Sequence, residues 1–143
     1  MTEPLTPADM AALHAACFTA PRPWSAAEFA GLMADPLVQV LTAPGGMLLT
    51  RIVAGEAEIL TLAVAPEARR TGIARRLLDR FHALAEARQV TAASLEVATD
   101  NIAATSLYMM AGYQAAGLRR GYYGQNGGPK TDALVLVKTF GEA

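Results

Sequence analysis

The sequence predicts an α/β domain of roughly seven strands and four helices. Helix-start signals alternate with short runs rich in Val, Ile, Leu and Thr, and Gly or Pro marks most of the boundaries. With 143 residues, 52% hydrophobic and 17% charged, the chain suits one compact domain, residues 1–143, with a real core.

Thr6-Pro7-Ala8-Asp9 opens the first helix: a hydroxyl at the N-cap, proline in the first turn, and an acid at the positive dipole end. The Ala-rich run carries it to about Phe18, and Pro21-Arg22-Pro23 breaks the chain. Ser25-Ala26-Ala27-Glu28 is a capping box for a short helix to about Ala34, ended by Asp35-Pro36. Residues 37–41 and 47–53 are strand candidates around the turn Pro44-Gly45-Gly46. Residues 58–64 form a nearly continuous apolar run, the pattern of a central strand covered on both faces.

A helix begins near Gly72, with Ile73, Leu77, Phe81 and Leu84 as one stripe and Leu78 and Ala85 beside it. Residues 93–98 form the next strand. A helix over 102–111 follows, with Gly112 at the left-handed position after it and Met109-Met110 expected in the core. Residues 113–122 and 133–140 are the last strands, on either side of the loop 124–129.

Net charge is −1, so the bulk balance offers no field for nucleic acid or an anionic membrane. No stretch is long enough for a membrane span, and Met1-Thr2-Glu3-Pro4 lacks a signal-peptide pattern, which points to the cytoplasm. Cys17 is the single cysteine, so neither an intrachain disulfide nor a thiolate cage is available. His14 and His82 stand singly on helices and are read as surface or core packing, with no metal expected.

Positive charge instead gathers locally, at Arg69, Arg70, Arg75 and Arg76 and at Arg119 and Arg120. In the first group, the strand Leu62-Ala63-Val64 leads through Ala65-Pro66-Glu67-Ala68 into Arg69-Arg70-Thr71-Gly72-Ile73-Ala74-Arg75. A helix start offers unpaired N–H groups to a phosphate, Gly72 lets backbone approach closely, and the arginines add charge at the rim. The plain alternative is a solvated strand-to-helix turn, but cations are disfavoured at a helix N-terminus unless an anion is present. Gly72 is followed by Ile73-Ala74 rather than Lys-Ser/Thr, which excludes a nucleotide-triphosphate loop; the three-glycine dinucleotide spacing is absent as well.

Arg-x-x-Gly-x-Ala after a strand ending Leu-Ala-Val-x-Pro resembles the acetyl-CoA signature of the GNAT superfamily of N-acetyltransferases. The segment 56–64, Leu95-Glu96-Val97, Asn101-Ile102-Ala103-Ala104, Leu107-Tyr108 and Ala111-Gly112-Tyr113 stand in that family's order. With Pro23-Trp24-Ser25 and Arg119-Arg120-Gly121-Tyr122-Tyr123 they resemble the bacterial RimI-type branch, which acetylates the N-terminal alanine of a ribosomal protein. The resemblance covers about residues 24–137. It implies the GNAT fold, a mixed and mostly antiparallel sheet whose central strands splay, and acetyl-CoA as co-substrate.

Residue by residue, the resemblance implies that the backbone of Leu62, Ala63 and Val64 pairs with the pantetheine arm. It implies that Arg69, Arg70, Thr71, Gly72, Ile73, Ala74 and Arg75 hold the pyrophosphate and that Asn101 contacts the cofactor; by position Asn101 is also a helix N-cap. Glu96 becomes the general base and Tyr108 the general acid, whereas the residues alone read as a solvated strand acid and a core aromatic. Glu58 is a second acid for the amine or a surface acid. Trp24, Tyr122 and Tyr123 line an acceptor groove for a protein N-terminus, or are packing residues. Branch members carry Arg and Ser where this chain has Ala98 and Asp100, which leaves a different peptide or a small amine (polyamine, amino acid or antibiotic) open as acceptor; the same fold holding an acyl-CoA without turnover is the other alternative.

Overall fold

The computed structural model describes residues 5–18, 23–69, 71–123 and 131–140, and the side chains of Tyr122, Tyr123 and Thr131 lie outside that description. Side chains set most of the helix starts. Thr6 Oγ1 accepts the Asp9 N–H at 3.1 Å and Asp9 Oδ2 accepts the Thr6 N–H at 3.0 Å, which starts α1 (Pro7–Cys17). Ser25 and Glu28 cap each other in the same way at 3.1 and 2.9 Å and start α2 (Ala26–Ala34). Such a cap contributes about 1 kcal/mol. Asn101 Oδ1 accepts the Ala104 N–H at 3.1 Å and starts α4 (Ile102–Met110). The longest helix, α3 (Ile73–Ala87), has no side-chain cap; Gly72 precedes it in the left-handed region at φ 82°.

The strands β1 (Val38–Ala43), β2 (Gly46–Val53), β3 (Glu56–Val64), β4 (Ala92–Ala98), β5 (Gln114–Tyr123) and β6 (Thr131–Thr139) form one sheet in the order β1-β2-β3-β4-β6-β5. Every neighbouring pair is antiparallel except β3 and β4, which are joined through α3. This is the mixed, mostly antiparallel sheet expected, with four α-helices and six strands among the described residues rather than about seven. All the apolar runs read from the sequence became strands, and no further run outside the helices remains to supply another.

Each face of the sheet carries a core. On one face α3 buries Leu77, Leu78, Phe81 and Ala85 against Leu48, Ile59, Leu95 and Leu136. On the other, Met10 of α1 and Phe29 of α2 pack on Met47, Leu49 and Ala63. Each of the leucine, isoleucine, phenylalanine and methionine side chains, fully buried, contributes about 1.5–3 kcal/mol. Met109 and Met110 do not join the core, contrary to the sequence expectation: they are 43% and 78% exposed. The single short α4 turns its Tyr108, Ala104 and Leu107 inward, and helical spacing carries both methionines to the outer face.

Two irregularities shape the centre of the sheet. Leu49 pairs with Thr61 but Thr50 pairs with Ile59, so β3 carries one extra residue, Leu60. A bulge of this kind reverses the alternation of faces. Ala57 and Ile59 pack in the α3 core, whereas after the bulge Leu62 packs there and Ala63 faces α1 and α2. Thr50, fully buried, donates its hydroxyl to the Glu58 carbonyl at 2.8 Å beside the bulge. The second irregularity is that β3 and β4 pair only through Glu56–Ala92, Ala57–Ala93 and Glu58–Ser94. Beyond those pairs the two central strands part.

Candidate active site

A cavity of about 620 Å³ occupies the gap between the parted strands. Residues 59–62 form one wall and residues 95–98 the other; His14, Phe18 and Trp24 close it on the α1 face, and Asn101, Ala104 and Tyr108 on the α4 face. The splay follows from the register: with no ladder between them after Ser94, the strands leave space that side chains from both faces of the sheet can reach.

Two carboxylates stand on the α1 side of this gap. Leu95 and Val97 belong to the α3 core, so alternation turns Glu96 to the opposite face. Glu58 lies between Ala57 and Ile59 of the same core and is turned the same way, at the last pair before the strands part. Glu96 Oε2 is buried, and Arg119 Nε of β5 stands 2.6 Å from it as an ion pair, without an aligned hydrogen bond. Register explains the reach. Glu96 pairs with Val135, Gly117 with Val135 and Arg119 with Ala133, so the arginine shares the face of Glu96 and crosses β6 over small residues. By sequence Arg119 belongs to a local basic cluster and to the stretch 119–123 that carries the resemblance, with nothing to indicate a contact with Glu96.

Tyr108 reaches the cavity from the other face. Its ring is buried edge-on to Tyr113 at a centroid distance of 5.5 Å. Burial pushes its phenol well above the ordinary range, so it stays protonated. Tyr113 in turn meets His82 Nε2 through its hydroxyl at 3.0 Å, away from the cavity lining. Asn101 both caps α4 and lines the cavity.

Trp24 also lies at the cavity, and His14 is stacked on it at 4.7 Å with an interplanar angle of 19°. The imidazole Nδ1 accepts the Trp24 backbone N–H at 3.0 Å, and Phe18 and Phe29 enclose the ring. By sequence His14 reads as surface or core packing, outside the site. One sign was available: Met10, His14 and Cys17 recur on one helical face, so the histidine interrupts an otherwise apolar stripe.

Adjoining the end of β3 is a second cavity of about 200 Å³, lined by Val64, Arg69, Gly72, Ile73, Ala74 and Arg75, with Ala68 and Leu107. The first turn of α3 holds no acid, and its N–H groups meet no side-chain cap. Gly46 lets this helix start lie against β2, because a Cβ there would come within 2.8 Å of Ile73 Cγ2. Arg69 Nε donates to the Val64 carbonyl at 3.1 Å, and Cys17 Sγ donates to the same oxygen at 3.2 Å. Arg75 pairs with Asp79 at 3.2 Å, Arg76 donates to the Thr71 carbonyl at 3.1 Å, and Thr71 Oγ1 donates to the Ala68 carbonyl. Ala63 is buried in the α1–α2 core, so only its backbone is available to a ligand. Of the other expected contacts, Arg70 and the side chains of Tyr122 and Tyr123 lie outside the described residues.

The sequence pattern of the acetyltransferase (GNAT) family matches residues 13–113, from α1 through the helix start and both strands of the gap to Tyr113. The chain belongs to the GNAT family. It is an acetyl-CoA-dependent N-acetyltransferase. Over 141 residues it is 37% identical to the N-alpha-acetyltransferase RimI of Mycobacterium tuberculosis, covering 92% of this chain and 85% of that one. Over 119 residues it is 34% identical to the ribosomal protein bS18-alanine N-acetyltransferase of Escherichia coli, covering 80% of each. A crystal structure of the Escherichia coli ribosomal-protein-S18-alanine N-acetyltransferase superposes with a TM-score of 0.80 at 31% identity, covering 94% of this chain and 90% of that one.

The residues present fit a GNAT co-substrate. An uncapped helix start suits a pyrophosphate, and the cavity beside it adjoins a strand edge that no neighbouring strand pairs beyond Glu58. Among the described residues no group of three or more His, Cys, Asp or Glu side chains could hold a metal ion, and no helix is long and apolar enough to cross a membrane.

Proposed function

We propose that this GNAT enzyme transfers the acetyl group of acetyl-CoA to the N-terminal α-amine of a protein, a ribosomal protein being the leading candidate class. The observation that carries the reading is the shared cavity: Glu58 and Glu96 reach it from one face of the sheet and Tyr108 from the other. The names of the 34–37% identical relatives, both N-terminal acetyltransferases, support the same acceptor.

In this reading the pyrophosphate rests on the α3 start, held by the backbone of Arg70, Thr71, Gly72, Ile73 and Ala74 with Arg69 and Arg75 at the rim. The pantetheine arm runs along the backbone of Leu62, Ala63 and Val64, past Asn101. Trp24, Tyr122 and Tyr123 flank the entering peptide, and Glu58 attracts its ammonium.

Glu96 takes one proton from that ammonium, directly or through water, which frees the nitrogen lone pair. The nitrogen attacks the thioester carbonyl in a ternary complex, the C–N bond forms, and the C–S bond breaks as the tetrahedral centre collapses. The second amine proton leaves in that collapse, and the balance closes on an amide, a thiol and one proton released to solvent. Tyr108 faces the departing sulfur. A thiol ionises near about 8.5 and a phenol near about 10, so full proton transfer to the thiolate is uphill, the more so for a buried phenol. Tyr108 therefore acts chiefly through a hydrogen bond that strengthens as charge develops on sulfur. The thioester carbonyl is already electrophilic toward a neutral amine, so this route needs no metal.

The test is mass spectrometry of products after incubation with acetyl-CoA and a panel of peptides, including alanine-starting ones, alongside polyamines and free amino acids. The expected product carries acetyl on the peptide α-amine. Acetylation of the small amines alone would assign a different acceptor.

A further inference from the structure

His14 has one ring nitrogen used and one left over. Nδ1 accepts the Trp24 N–H at 3.0 Å, which fixes the neutral tautomer with its proton on Nε2. Burial also disfavours a second proton on the ring, although Glu28 opposes that. The residue is 3% exposed, clamped by Phe18, Trp24 and Phe29, and it lines the cavity. Among the described residues Nε2 meets no hydrogen-bond partner. Among the described residues the buried side-chain polar atom left without a hydrogen bond is Glu96 Oε2, so the His14 Nε2–H is open to space, and the cavity that His14 lines together with Glu58 and Glu96 supplies that space.

We infer that His14 is a substrate-binding residue whose Nε2–H donates to a main-chain carbonyl oxygen of the acceptor peptide, next to the amine that is acetylated. The inference rests on the peptide-acceptor reading above. The stacked Trp24 and the Nδ1 bond hold the imidazole in one orientation, so the donor is set before the peptide arrives. An acceptor carbonyl suits this neutral N–H, whereas the ammonium beside it needs the carboxylates. The pair of contacts would thus read an amine and the carbonyl that follows it, the chemical signature of a chain N-terminus.

Two substitutions separate this role from packing. His14→Asn keeps an acceptor oxygen near the Nδ1 position, for the Trp24 N–H, and removes the donor from the cavity. His14→Gln restores an amide N–H near the Nε2 position. The expected result for His14→Asn is a KM for an alanine-starting peptide raised about three- to tenfold, the worth of one neutral hydrogen bond. Its kcat and its KM for acetyl-CoA stay within about twofold, and His14→Gln lies closer to wild type in peptide KM. A wild-type peptide KM in His14→Asn, or an equal rise in both variants, overturns the inference and leaves the acceptor reading standing. A wild-type enzyme that acetylates no peptide overturns both.

A readout on the unmodified protein guards against a variant that fails to fold. The chain has 2 histidines, so ¹⁵N-histidine labelling leaves His82 as an internal control. Adding the peptide in the presence of desulfo-coenzyme A is expected to shift the His14 Nε2 resonance while Nδ1 and both His82 nitrogens hold. An unmoved Nε2 resonance at peptide saturation overturns the inference.

Discussion

The end of β3, the 3-10 turn Pro66–Ala68 and the start of α3 follow one another along the chain; there Ala63 offers a ligand only its backbone and the first turn of α3 has no side-chain cap. At the other end of the cleft, the side chains of His14, Trp24, Glu58, Glu96 and Tyr108 come from α1, the segment before α2, β3, β4 and α4. A donor site made of backbone needs only a local pattern of small residues and a helix start. An acceptor site made of side chains needs the whole sheet to assemble, and the parting of β3 from β4 is what lets both faces contribute.

That contrast can be broken by substitutions that touch one end and not the other. The largest effect is expected for Glu96→Gln, which should lower kcat by about 10²–10⁴-fold while acetyl-CoA affinity, measured by calorimetry, holds. Gly72→Val should do the reverse. Nothing lies within 4 Å of a Cβ at Gly72, so the cost is torsional, from a β-branched residue at φ 82°. With about 1–3 kcal/mol of backbone strain, acetyl-CoA affinity should fall by about tenfold or more while the peptide KM changes little.

Tyr108→Phe should lower kcat by only about tenfold, below the usual range for a general acid, because a thiolate leaves readily. The smallest effect is on stability. His14 and His82 both resist protonation through burial, with Lys138 and Arg75 adding to this at His82 against Asp79 and Glu86. Their neutral forms are favoured in the fold, so stability is full above the ordinary histidine value of 6.5 and declines as pH falls below it. Between pH 7 and pH 5 the Tm should drop by about 2–5 °C, and His14→Asn should flatten that slope.

The same contrast explains what could be read in advance. Thr6, Ser25 and Asn101 announced their helices because a cap is a local interaction; the Arg69-to-Ala74 pattern is local in the same way, and the anion site read from it belongs to the proposed function. That Glu96 faces away from Leu95 and Val97 followed from simple alternation, but its burial in the gap did not, because the residues alone read as a solvated strand acid. The Leu60 bulge left no such mark, yet it decides which side chains of β3 face α1 and which face α3. His14 and the Arg119–Glu96 contact were hidden because each depends on partners far away in sequence or on strand register. Met109 and Met110 show the opposite failure, since hydrophobicity alone does not say which face of a short helix is covered.

The most direct test of a base and a hydrogen-bond donor meeting across the parted strands is a single-turnover measurement on the Glu96→Gln, Tyr108→Phe double variant, with acetyl-CoA binding measured on the same sample. The expected result is acetyl transfer slowed by at least about 10²-fold with acetyl-CoA affinity within a few-fold of wild type. Transfer at the wild-type rate, or a rate loss that merely tracks lost acetyl-CoA binding, would contradict it.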